Sequence, residues 1–204
     1  MEDTLSALRA EIRTQMDEKR YLHTIGVERE MRYLASYLAP ELLWDAALAG
    51  ILHDMTKCLS FEEQYAYCEE HGIPVDEDER IAPALLHAKT GAHLAQARYP
   101  ALVTEAVKDA IERHTTAHPP LSLLAAMLFV ADFTEEGRTY PDCVALRSFL
   151  HEKPLIGDDG MKHFKKVLLR ALSLSLEELL REGRPIALRT VVARNALLAK
   201  KELF

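Results

Sequence analysis

The sequence predicts an all-α protein. Apolar residues recur at helical spacing in one segment after another, and no segment shows the strict alternation of a half-buried strand. Helix-opening residues and Pro or Gly breakers punctuate those segments. No repeat or low-complexity linker divides the 204 residues. They are therefore expected to form a single-domain helical bundle, residues 1–204, with a core of about 15–140 and C-terminal helices of about 141–204 packing on it.

Residues 4–20 read as the first helix, opened by Thr4, with Leu5, Leu8, Ile12 and Met16 on one face. A second runs from about Lys19 to Leu38 and stops at Pro40; Arg20 and His23, three apart, share a face of it. The third, about 41–53, is Ala-rich and ends on His53-Asp54. A polar helix over 60–71 is ended by His71-Gly72-Ile73-Pro74, and 75–80 reads as an acidic connector. Helices over about 81–97 and 101–114 deliver His87 and His114. After Pro119-Pro120, the apolar run 121–131 delivers Asp132, then Glu135, Glu136 and Arg138. Segments 141–152, 160–182 and 186 to about Lys200 complete the helices.

Composition narrows the function. No uncharged apolar run approaches the roughly 18–20 residues that span a bilayer, so no membrane partner is expected. The start, Met1-Glu2-Asp3-Thr4, has no signal-peptide pattern, and Cys58, Cys68 and Cys143 are odd in number without CxxC spacing; both fit a cytoplasmic protein with reduced thiols. Net charge is −7, with basic pairs only at Lys165-Lys166 and Lys200-Lys201, which argues against nucleic acid as a partner. Homodimerisation is left open.

The chemistry gathers in the polar residues that close apolar helices: His23, His53-Asp54, His87, His114 and Asp132. A carboxylate at the end of a greasy run is too costly to bury without a partner or a cation. The bland reading of His53-Asp54 is a buried hydrogen bond that orients the helix. The sharper one is a metal site in the bundle core, with one or two ligands from each of several helices. Imidazole and carboxylate without thiolate suit iron, manganese or zinc. His71, His93, His118, His151 and His163 are expected to face solvent.

The ordered set H…HD…H…H…D resembles the HD-domain superfamily of metal-dependent phosphohydrolases. The stretches Arg20-Tyr21-Leu22-His23-Thr24, Gly50-Ile51-Leu52-His53-Asp54-Met55-Thr56-Lys57, Leu86-His87-Ala88-Lys89-Thr90-Gly91, Ile111-Glu112-Arg113-His114-Thr115 and Val130-Ala131-Asp132-Phe133 look like its YqeK family. Ala193-Arg194-Asn195 resembles that family's C-terminal signature. The family comprises bacterial hydrolases that cut diadenosine tetraphosphate symmetrically to two ADP. The resemblance implies an HD-domain bundle with a central iron site held by His23, His53, Asp54 and Asp132, and a water activated by that metal as the attacking group. It implies that Asp54, His87 and His114 are catalytic. The dinucleoside polyphosphate would be contacted by Arg20, Asp54, His87, His114, Thr115, Asp132, Arg138 and Thr190. One or two ions fit, since His87 and His114 hold a second metal in dinuclear relatives. The sequence departs from the family pattern at Ala117, usually glycine, and at Lys89 and Glu136, often proline.

Overall fold

The apolar pattern folds into eleven α-helices and no strand in the computed structural model, which describes residues 2–199. The helices are α1 (Glu2–Arg13), α2 (Glu18–Leu38), α3 (Leu43–Leu52), α4 (Phe61–Glu70), α5 (Glu77–Ile81), α6 (Leu86–Arg98), α7 (Glu105–Arg113), α8 (Leu123–Thr134), α9 (Pro141–His151), α10 (Gly157–Arg181) and α11 (Leu188–Leu198). The basic pair Lys200-Lys201 lies outside the described residues. Among the described residues, no helix is long and apolar enough to cross a membrane.

Local capping explains where the boundaries depart from periodicity. The expected helix 4–20 is cut at Arg13, because the Asp17 carboxylate accepts the Arg20 N–H and starts α2 there. The expected acidic connector contains a helix, α5, since Asp76 and Glu79 form a reciprocal capping box. Pro40 and Pro83 each open a 3-10 turn, so α3 and α6 begin at Leu43 and Leu86 rather than at 41 and 81.

Two apolar helices form the centre. Every residue from Leu124 to Ala131 of α8 is buried, as is every residue from Ala46 to Leu52 of α3. A helix apolar all round must be packed on all sides. Accordingly α8 touches α2, α3, α7, α9 and α10, while α3 packs on α1, α2, α6, α7 and α8. Burying each large side chain there contributes about 1.5–3 kcal/mol. The same core cluster takes in Leu5 of α1 and Ala193 of α11.

The α2–α3 contact is unusually close. A Cβ on Gly50 would lie 2.6 Å from the Cα of Glu28. The Glu28 carboxylate is itself buried and held in a fork by Arg9, at 2.7 and 2.5 Å. This clamp fixes α3 against α2, and hence His53-Asp54 against Arg20 and His23.

The departures from the family pattern now have structural meanings. Ala117, in the turn after α7, is fully buried with φ +48°, a left-handed conformation that glycine adopts without strain. Lys89 reaches away to α5, donating to Glu79 at 2.6 Å and to the Pro74 carbonyl at 2.8 Å. Glu136 pairs with Arg29 at the surface. One expectation is corrected: His163 does not face solvent but is buried, donating to the Phe149 carbonyl at 2.9 Å.

Two stability predictions follow from these backbones. Gly50→Ala forces α2 and α3 apart and should destabilise by about 2 kcal/mol or more, lowering the thermal midpoint by several degrees. Ala117→Val adds a β-branched side chain at positive φ in a closed site and should cost about 2 kcal/mol or more by chemical denaturation.

Candidate metal centre

Helix ends assemble the site. His53 caps the C-terminus of α3, His114 caps that of α7, and Asp132 sits in the last turn of α8. The carbonyl ends of helices carry partial negative charge, which favours a cation among these residues. Arg20 and His23 come from the first turns of α2, and His87 from the first turn of α6. Thr56 ties the loop after α3 to α6 by donating to the His87 carbonyl at 2.9 Å.

Asp54 stands at the middle. His87 Nε2 is 3.3 Å and His114 Nε2 3.7 Å from its Oδ1, while His53 Nε2 is 3.7 Å and Arg20 Nη1 3.0 Å from its Oδ2. Two sets have ligand atoms all within 4.8 Å of one another: His23, His53 and Asp54, and Asp54, His87 and His114. They share Asp54. Asp132 is outside both trios but adjoins the first, with Oδ1 3.0 Å from His23 Nε2.

The ring tautomers decide what the cluster needs. His53, His87 and His114 each point Nδ1 at the carbonyl three residues earlier, at 2.8, 2.6 and 2.7 Å. A carbonyl only accepts, so Nδ1 carries the proton and each Nε2 presents a lone pair. The Nε2 atoms of His87 and His114 are 3.1 Å apart. Lone pairs this close, facing a carboxylate, repel unless a proton or cation lies between them. His53 Nε2 is buried with no hydrogen-bond partner. An orphaned buried acceptor is costly, and a metal ion would satisfy it. The donor set therefore fits an ion.

Electrostatics agree. Burial opposes charge on Asp54, yet His53, His114 and His87, in their protonated form, hold its carboxyl well below the usual range. Burial likewise opposes ionisation of Asp132, and His23 and Arg138 overcome it. Burial pushes His53 and His87 down to about 4, the latter helped by Lys57, whose amine lies 3.0 Å from His87 Nε2. Neutral imidazole is the form that ligates metal. His23 differs: burial lowers its pKa, but bonds to Asp132 and Glu135 raise it to about 9.

The structure thus gathers eight sequence-predicted residues: Arg20, His23, His53, Asp54, His87, His114, Asp132 and Arg138. Arg138 donates to Asp132 Oδ1 at 2.6 Å and to its carbonyl at 2.9 Å. Thr115 and Thr190 instead line a separate cavity of about 140 Å³, walled by the 3-10 turn at Pro83–Leu85, α10 and α11. Sequence reasoning missed Glu135. This buried carboxylate holds His23 Nδ1 at 3.2 Å and accepts the Gly137 N–H at 2.6 Å. A Cβ at Gly26 would collide with it, at 2.3 Å from Oε2. Its spacing three residues after Asp132 was the available signal. The clamp on α11 was missed too: Arg189 donates to Asp76 at 2.8 Å and pairs with Asp78 and Glu79 at 3.3 Å.

Known proteins share this architecture. The chain is 28% identical to a Bacillus subtilis protein named symmetrical bis(5'-nucleosyl)-tetraphosphatase, over 92% of this chain and 94% of that one. A protein of the same name from Halalkalibacterium halodurans is 27% identical, over 94% and 95%. A crystal structure from Clostridium acetobutylicum, described as a predicted HD superfamily hydrolase involved in NAD metabolism, superposes with a TM-score of 0.82 at 28% identity, covering 96% of this chain and 97% of that one. The HD domain pattern matches residues 20–136, an interval that contains every residue of the metal-ligand clusters. The chain belongs to the HD domain family.

Proposed function

We propose that this protein is a metal-dependent hydrolase that cleaves diadenosine tetraphosphate symmetrically into two ADP. One observation carries the reading: two ligand trios share a buried carboxylate, and arginines stand beside both acidic ligands. The named function of the two bacterial relatives, which match over most of their length, points the same way. The reaction adds water across a phosphoanhydride and releases two nucleoside diphosphates.

His23, His53, Asp54 and Asp132 would hold the ion; an imidazole and carboxylate set suits iron, manganese or zinc, and the family resemblance implies iron. Such an ion lowers the pKa of water and offsets charge that develops on phosphate. Arg20 and Arg138 supply the permanent charge. Each guanidinium spends part of its donor set on a carboxylate, leaving N–H groups for phosphate oxygens. Arg20 Nε, buried and without a partner, is one of them. His87 and His114 would pass a proton to the leaving phosphate, with the Lys57 ammonium against His87 as the source that reloads it. Thr115 and Thr190 present hydroxyls to one nucleoside in the cavity they share. In this reading α9–α11 belong to one domain with the core, because α10 and α11 wall that cavity.

A second reading concerns ion count alone. The Asp54, His87 and His114 trio supports a second ion, and a stoichiometry near two per chain would turn both histidines from proton carriers into ligands.

The product assay separates the alternatives. Incubated with diadenosine tetraphosphate, the metal-loaded protein should yield ADP alone, and chelation should stop turnover. AMP plus ATP would make it a different HD phosphohydrolase; tight nucleotide binding without turnover would make it a sensor. Asp54→Ala should lose bound metal by elemental analysis and at least about 100-fold in kcat. Glu135→Gln should keep the fold but weaken metal affinity about tenfold, read by competition with a fluorescent chelator, because the partner that orients His23 loses its charge.

A further inference from the structure

A second and larger cavity, about 370 Å³, opens between the C-terminal end of α8, the start of α9 and the last turns of α10. The metal-ligand reading accounts for only two residues of its wall, Asp132 and Arg138. The rest is chemically distinct: the rings of Phe133 and Tyr140, the Cys143 thiol and Leu174, then the Glu178 carboxylate and Arg181. We propose that this cavity is the second nucleoside subsite, receiving the half of the dinucleotide that the Thr115 and Thr190 cavity does not. The inference rests on the reading of the substrate as a dinucleoside polyphosphate.

The arrangement has the right order. From one cavity to the other the residues run Arg138 and Asp132, His23, Asp54, His114 and Thr115, with contacts of 2.6 Å (Arg138 to Asp132), 3.0 Å (Asp132 to His23) and 3.7 Å (Asp54 to His114). His23 and Asp54 belong to one ligand trio, and Thr115 follows His114 in the chain. The cluster is therefore joined to both cavities by an unbroken run of neighbouring residues. A substrate cleaved at its central bridging oxygen needs that placement, with a nucleoside and two phosphates leaving in each direction.

The wall suits a nucleoside. A base offers a flat π-face, which stacks on aromatic rings whatever its identity. Tyr140 is 66% exposed, so its ring is free to close over a base, while Phe133 is packed against the core and gives a fixed floor. A ribose offers vicinal hydroxyls, which a carboxylate such as Glu178 accepts. Arg138 is common to the cavity and the metal cluster, placing a phosphate-binding cation between nucleoside and ion. Arg181 and Asp142 pair at 3.7 Å with both side chains solvent-accessible, so their bridge is open to exchange.

Binding tests this apart from turnover. The probe is a diadenosine tetraphosphate analogue with a methylene group in place of the central bridging oxygen, titrated into manganese-loaded protein by calorimetry beside adenosine 5'-tetraphosphate, which has one nucleoside. Wild type should bind the two-nucleoside probe at least fivefold more tightly. Tyr140→Ala, at an exposed position, and Leu174→Trp, which fills the cavity, should abolish that preference with manganese content unchanged. If Leu174→Trp fails to fold, Tyr140→Ala and Glu178→Gln decide. A preference within twofold of wild type in every folded variant overturns the proposal. Should wild type bind the analogue and the variants lose the preference while diadenosine tetraphosphate goes uncleaved, the subsite stands and the proposed reaction falls.

Discussion

The cost of burying the Asp54 carboxylate governs this structure. A charge withdrawn from water must be compensated by partners close enough to act through a low dielectric. Arg20 donates to Asp54 at 3.0 Å, while His53, His87 and His114 turn Nε2 toward it within 3.7 Å, a set that a proton or a cation between them completes; each comes with a different stretch of chain. Moving α2, α3, α6 or α7 independently would strip a partner from a buried charge. The cluster thus cross-links helices that hydrophobic packing alone would allow to slide. The same charges that demand partners make the site attractive to a cation.

Rigidity at such a site has to come from elsewhere, because polar clusters do not resist deformation by themselves. It comes from contacts made where side chains are smallest. Gly50 lets α3 lie against the backbone of Glu28, where an added Cβ would come within 2.6 Å of the Glu28 Cα. Gly26 leaves room for Glu135 beneath His23. These glycines are helical, so their value lies in approach distance rather than in backbone freedom. Each one sets the depth at which a helix delivers its ligand.

Much of this was legible in the chain itself. Fold class followed from periodicity, and the polar ends of the apolar runs 46–52 and 121–131 come together in the fold, because a carboxylate there has no cheap alternative to a partner. Boundaries failed where a single side chain redirected the backbone, as Asp17 does at the start of α2 and Asp76 with Glu79 do at α5. Glu135 was hidden for another reason. A glutamate in an acidic surface-like string, Glu135-Glu136, has no composition signal that distinguishes the buried member from the exposed one. Only the fold, by placing Gly26 and the Gly137 N–H around it, makes that distinction. Arg189 is a similar case, since its acidic partners lie over a hundred positions away in sequence.

Overall charge and site charge must also be reconciled. A protein of net charge −7 repels a polyphosphate at long range. Salt at cellular strength screens that repulsion beyond about 8 Å, so only the final approach matters. There Arg20 and Arg138 offset the acidic ligands they touch, and Lys57 stands against His87. Adding a divalent ion then tips the local balance positive without placing a basic patch on the surface. An extended basic surface would also attract nucleic acid, whose affinity grows with the number of phosphates neutralised. Arg20 and Arg138 stand beside one buried and one part-buried carboxylate, so their pull is strongest on phosphates that can enter the cleft.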